Sequence, residues 1–74
     1  MNYDYSKLTE KIIEVYGTQA AFALAMDMSQ DNLCKKLNNL AEWSQEEMFV
    51  VIDLLYIPAS EIEKYFFSHN DLEN

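Results

Sequence analysis

The segment Ser29-Gln30-Asp31-Asn32-Leu33-Cys34-Lys35-Lys36-Leu37 gathers polar side chains of the kinds that recognise other molecules. Gln30 and Asn32 carry amides that donate and accept at once, the groups that read base edges, adenine above all. Lys35 and Lys36 could hold phosphates. Asp31 would repel a phosphate backbone, and could accept from a cytosine amino group only where other contacts hold it in place. Covalent and acid–base chemistry find no comparable grouping. Cys34 has no activating base beside it and reads as a small filler next to Leu33 and Leu37. His69 stands in a polar tail with no ligand set. Carboxylates are plentiful, but no His, Cys or Ser has a partner at a motif spacing, and no Gly-rich loop could cradle a phosphate. One Cys excludes an internal disulfide, and one Cys with one His leaves no zinc set. The expectation is a non-enzyme with no metal and no cofactor.

The charge balance narrows the partners. Thirteen acidic residues against five basic ones give a net charge of −8, and all five basic residues are lysine. Such a chain does not win a partner by bulk attraction to phosphate. Without arginine, the two-pronged contact to guanine is also missing. Half of the residues are hydrophobic, so the chain builds a core and is no disordered acidic tail. Seventy-four residues suffice for one domain. The apolar runs are far too short to span a bilayer, and Met1-Asn2-Tyr3-Asp4-Tyr5 does not read as a signal peptide, so the expected location is the cytoplasm.

The elements that position Ser29–Leu37 follow from periodicity and punctuation. Gly and Pro occur once each, which points to helices joined by short polar turns. Ser6 is expected to cap a first helix with Leu8, Ile12, Val15 and Tyr16 on one face, ended at Gly17. Thr18 caps a second, with Ala21, Phe22, Ala25 and Met26 apolar. Asp27-Met28 turns the chain, and Ser29 caps a third helix through Leu37, anchored by Leu33 and Leu37. A loop from Asn38 to Trp43 leads to Ser44, which forms a capping box with Glu47. The fourth helix runs to about Leu55 with Met48, Val51, Ile52 and Leu55 as its core stripe. Pro58 breaks it. A fifth helix is expected from Ala59 to Phe67 with Ile62, Tyr65 and Phe66 inward. Trp43 is expected to staple onto Met48, and Tyr3 and Tyr5 to tie down the N-terminus. Phe49, Val50, Leu54, Tyr56 and Phe67 exceed the core stripe and are either further core or a dimer patch.

Two short helices with a tight turn and a mostly polar second member match the helix-turn-helix pattern. Gln19 opens the first, small Ala23 permits a close crossing, Met28 follows the turn, and Ser29, Leu33 and Leu37 set the second. This resembles phage repressor and Cro-type proteins. The likeness extends through Met1-Asn2-Tyr3-Asp4-Tyr5-Ser6-Lys7-Leu8, Tyr16-Gly17-Thr18-Gln19, Lys36-Leu37-Asn38, Leu54-Leu55 with Ile57-Pro58, and Glu61-Ile62 before Tyr65-Phe66-Phe67. Over residues 1–67 the chain resembles the short Cro-like and modulator-of-repression (antirepressor) proteins of phages. It departs where Gly is usual, with Asp27 in the turn and Asn39 after Asn38, both tolerant of left-handed backbone. Its loop Leu40-Ala41-Glu42-Trp43 carries an acid where bases are common.

The resemblance implies an all-α, compact five-helix repressor-like helix-turn-helix domain over 1–67, with the motif at 18–38 and a polar tail at 68–74. It also implies a bacterial host. An acidic chain on such a frame is expected to regulate the lytic–lysogenic switch chiefly by docking on a phage repressor or another nucleic-acid-binding protein. The binding residues expected are Gln19, Ser29, Gln30, Asp31, Asn32, Lys35 and Lys36, with Trp43, Phe49, Val50 and Tyr56 as a dimer or partner patch. A Cro-like operator binder, weak for DNA and dimeric, is the alternative. An acidic mimic that inhibits a host defence nuclease is a third.

Overall fold

A computed structural model describes residues 3–68. Every element among them is helical: α1 (Ser6–Tyr16), α2 (Gln19–Ala25), α3 (Gln30–Leu37), α4 (Gln45–Leu55), a 3-10 turn (Ala59–Glu61) and α5 (Ile62–Phe66). The fold is all-α with five helices, as the sequence predicts. The expected tail at 68–74 enters the described residues only at Ser68, and His69 lies outside them.

Helix starts follow side-chain chemistry. The hydroxyl oxygens of Thr18, Ser29 and Ser44 accept from the backbone N–H groups of Ala21, Asn32 and Glu47 at 3.0–3.1 Å. Each satisfies one orphan donor of the first turn. The Glu47 carboxylate accepts from the Ser44 N–H at 2.9 Å and completes the capping box. The first helix corrects the expectation. Ser6 is already helical, and the Asp4 carboxylate accepts from its backbone N–H at 2.9 Å. That bond holds the Asp4 carboxyl below its ordinary range.

Helix ends are set by backbone handedness. Asp27, Asn39 and Tyr56 all have positive φ, at 59°, 64° and 57°. At each, the next residue's N–H donates five residues back: Met28 to Ala23, Leu40 to Lys35 and Ile57 to Ile52, at 2.8–3.0 Å. This paired closure satisfies the last carbonyls of a helix and needs a left-handed residue, for which Gly, Asn and Asp are best suited. Asp27 and Asn39 stand in for Gly on that ground. Asn39 does more, because its side chain pairs with both backbone groups of Tyr3, at 3.0 and 2.8 Å. The Asp4 N–H then donates to the Ser68 carbonyl at 2.7 Å, fastening the two ends of the described chain together.

The core gathers Leu8 and Ile12 of α1, Phe22 and Ala23 of α2, Leu33 and Leu37 of α3, Val51 and Leu55 of α4, Phe66 of α5, and Trp43 and Ile57 from the connections. Helix α1 is central and packs against α2, α4 and α5. Three expected core members are exposed: Val15, Ala21 and Ala25. Helix α2 turns Phe22, Ala23 and Met26 inward instead, so Ala23 takes the contact with the core. The expected fifth helix begins as the 3-10 turn, since Pro58 lacks an N–H and fixes φ at −70°.

Candidate functional site

Helix α3 is held by its inner side. Leu33 and Leu37, four apart, are buried, and this leaves Gln30, Asp31, Asn32, Cys34, Lys35 and Asn38 exposed. Ser29 is exposed at the cap and Gln19 is half-buried at the start of α2. Cys34 therefore points outward and does not fill the core, which corrects the expectation. It lies next to Leu33 on the helix surface, not on the leucine stripe. Its carbonyl accepts from the Asn38 amide at 2.8 Å, and its sulfur lies 3.4 Å from the same nitrogen.

The two lysines of α3 part company. Lys35 extends to Asp31 one turn earlier, with Nζ 3.3 Å from the carboxylate. Both ends are exposed, so the pair adds little stability, but it cancels the charge on this face. Lys36 folds inward and is only 9% exposed. Its Nζ donates to the Glu42 carbonyl at 2.8 Å, pairs with Glu47 Oε1 at 3.0 Å, and stands 5.8 Å from the Trp43 ring centre. Lys36 thus ties α3 to the following loop and to the first turn of α4, and it leaves the expected binding face. Helical spacing explains this: position 36 is three beyond Leu33 and adjacent to Leu37, on the buried stripe. That register was the signal available in the sequence.

Glu47 serves two donors with one oxygen, the Ser44 N–H and the Lys36 ammonium. Burial pushes its carboxyl up, but these donors outweigh burial and hold it below its ordinary value. Trp43 is 7% exposed, edge-on to Phe66 and Tyr5 with ring centres 5.7 and 6.4 Å away. It belongs to the core, so it too leaves the expected patch. Its Nε1 is buried without an acceptor.

The other patch members are on the surface. Phe49 is 69% and Tyr56 82% exposed, and Val50 is exposed as well. Leu54 is half-buried and Phe67 exposed. Leu24 and Leu40 are also exposed and were not singled out in the sequence. Asn39, the fastening of the N-terminus, was visible only as a turn residue. No group of His, Cys, Asp and Glu among the described residues is placed to hold a metal ion. No helix among them is long and apolar enough to cross a membrane. The arrangement offers a polar, charge-cancelled helix α3 and an apolar surface on α4.

Comparison with known proteins places the chain in a family and beside a solved structure. A family described as proteins of unknown function (DUF739) matches residues 1–69. The fold is similar to the solution structure of the modulator of repression (MOR) of the temperate bacteriophage TP901-1 from Lactococcus lactis, with a TM-score of 0.78 and 42% identity. That match covers 90% of each chain. No curated protein matches.

Proposed function

Since this chain belongs to the family of the lactococcal phage modulator of repression, we propose that it acts on a phage repressor by direct protein contact. It is a phage regulator of the lytic–lysogenic switch. The residues 18–38 form its helix-turn-helix, and the half-buried Gln19 with the exposed Ser29, Gln30, Asp31, Asn32 and Lys35 supply polar contacts to the repressor.

One observation carries the reading toward protein and away from DNA. Helix α3 keeps no free cation: Lys35 is paired with Asp31, and Lys36 is buried against Glu47. A helix-turn-helix draws its non-specific DNA affinity from several lysine or arginine contacts to phosphate. An acidic protein without them suits the basic surface that a DNA-binding repressor presents, where opposite charge speeds encounter. Mixing the chain with the DNA-binding domain of its phage's repressor, followed by size-exclusion chromatography, tests this directly. Co-elution at micromolar concentration is expected, and separate elution sinks the reading.

The operator-binding alternative draws on Gln30 and Asn32, which are exposed in the first turn of α3 where such helices read bases. It requires a specific shift of operator DNA at about 50 mM salt that weakens in Gln30→Ala and Asn32→Ala, since phosphate-driven binding is strongest at low ionic strength.

A further inference from the structure

We propose that the outer face of α4, with Phe49, Val50 and Tyr56 beside Glu46 and Asp53, is the anchoring surface for a partner protein whose own surface offers an apolar pocket bordered by lysine or arginine. This rests on the protein-contact reading above and specifies where that contact is made and what it recognises.

The register is helical. Positions 46, 49, 50 and 53 recur at three, four and seven residues, and Tyr56 closes the row one turn after Asp53. All five residues are exposed. The core stripe of α4 is the opposite one, with Val51 and Leu55 buried and Met48 and Ile52 packed against them. The helix is therefore apolar on two sides while the fold covers one. Single exposed hydrophobes are ordinary, but two aromatics and a valine in one row are not.

Tyr56 adds an independent observation. It closes α4 in the left-handed conformation, at φ 57° and ψ 42°. The equivalent helix-closing residues after α2 and α3 are Asp27 and Asn39, types that tolerate this backbone. Tyrosine does not, and at 82% exposure its ring gains no core packing in return. A strained residue with a large uncovered aromatic ring is what a contact surface requires and what the fold alone does not. Tyrosine is also among the residues that dominate binding energy at the centre of interfaces.

Charge selects the occupant. Helix α4 contains no lysine or arginine, and none of the ion pairs among the described residues involves Glu46 or Asp53. Two copies of the chain meeting through this face would set carboxylates from both partners around one apolar centre, which disfavours a homodimer. Nucleic acid would be repelled by the same groups. A cationic protein surface is attracted by them while its pocket takes the rings. A standard interface covers about 800 Å² per partner, against a total accessible surface of 5048 Å² here.

The test is calorimetric titration of the full chain with the DNA-binding domain of its phage's repressor, alongside Phe49→Ala, Tyr56→Asn and the double change Glu46→Lys with Asp53→Lys. Phe49→Ala and Tyr56→Asn should each raise Kd at least tenfold with helical circular dichroism unchanged, because both side chains lie outside the core. Asparagine keeps the left-handed closure. The double charge reversal, which leaves a net charge of −8 + 4 = −4, should raise Kd and weaken its dependence on salt, and a Kd and salt dependence equal to the wild type's overturn the charge argument. Affinities within threefold of the wild type for Phe49→Ala and Tyr56→Asn overturn this assignment while leaving the protein-contact reading intact. No binding by the wild-type chain overturns both. A wild-type dimer in sedimentation that Phe49→Ala converts to monomer assigns the face to a second copy and overturns the proposal.

Discussion

Replacing Lys36 by methionine removes one charge and almost no volume, and it should destabilise the domain severely. The Nζ of Lys36 makes a 2.8 Å bond to the Glu42 carbonyl and a 3.0 Å pair with Glu47 from a side chain only 11% exposed. A hydrogen bond involving a charged group contributes about 1.5–3 kcal/mol. Removing one partner of a fully buried pair costs about 3–5 kcal/mol. The Glu47 side chain keeps 30% exposure, so the fully buried figure does not apply and the lower end of the hydrogen-bond range, about 1.5–2 kcal/mol, does. The cation–ring contact to Trp43 adds about 0.5–1 kcal/mol. The sum is about 2–3 kcal/mol, a large share of the roughly 4–11 kcal/mol expected for a domain of this length. At about 4–8 °C per kcal/mol, the melting temperature should fall by roughly 10–20 °C. Lys35→Met is the internal control. Its exposed pair with Asp31 contributes about 0.5 kcal/mol or less. Urea unfolding of both variants, read by circular dichroism, decides the matter. If the adjacent lysines cost the same within about 0.5 kcal/mol, the inward placement of Lys36 is wrong, and its removal from the binding face falls with it.

Tyr56→Gly should stabilise the protein by about 0.5–1 kcal/mol despite glycine's added chain entropy, because it relieves left-handed strain of about 1–2 kcal/mol at an exposed side chain; a lower thermal midpoint would contradict this. Trp43→Phe should cost less than about 1 kcal/mol, since it deletes the unpartnered Nε1, whereas Trp43→Ala should cost about 3–5 kcal/mol by opening a cavity among Phe66, Tyr5 and Lys36. Glu47 carries a pH signature. Its folded carboxyl sits below the ordinary value of 4.5, so its contribution is present above that value and fades as the pH falls through the folded one. The stability gap between wild type and Glu47→Gln should therefore narrow from pH 7 to pH 3; a gap unchanged with pH would refute it.

The helix boundaries were legible because local chemistry sets them. Thr18, Ser29 and Ser44 cap where their hydroxyls predict, and Gly17 and Asp27 turn the chain where left-handed backbone is needed. Where local signals competed, the nearer carboxylate won, as Asp4 did over Ser6. The candidate site was legible only in part. Gln30, Asp31, Asn32 and Lys35 are on the surface of α3 as their spacing from Leu33 and Leu37 requires. Lys36, and Trp43 as a patch residue, were misplaced because their burial depends on each other and on Glu47, Phe66 and Tyr5, groups brought from three separate segments.

By itself, the sequence determined an all-helical chain, its capping residues, its net charge of −8 and its lack of arginine. Those are properties of residue types and of neighbours three or four positions apart, where short-range hydrogen bonding and periodic burial act. Tertiary structure decided what the inward lysine of α3 binds and which aromatic residues stay at the surface. A helix presents every side chain at some angle, and only packing against Phe66 of α5, Tyr5 and Lys36 of α3 determined that Trp43 is covered while Phe49 and Tyr56 are not. The acidic charge thus ends on a domain whose α3 cations are internally bound, with its largest uncovered rings on α4. The Lys35 pair and the inward register of Lys36 follow from spacing along α3, whereas the contact of Lys36 with Glu47 and the exposure of the α4 rings are set by long-range packing.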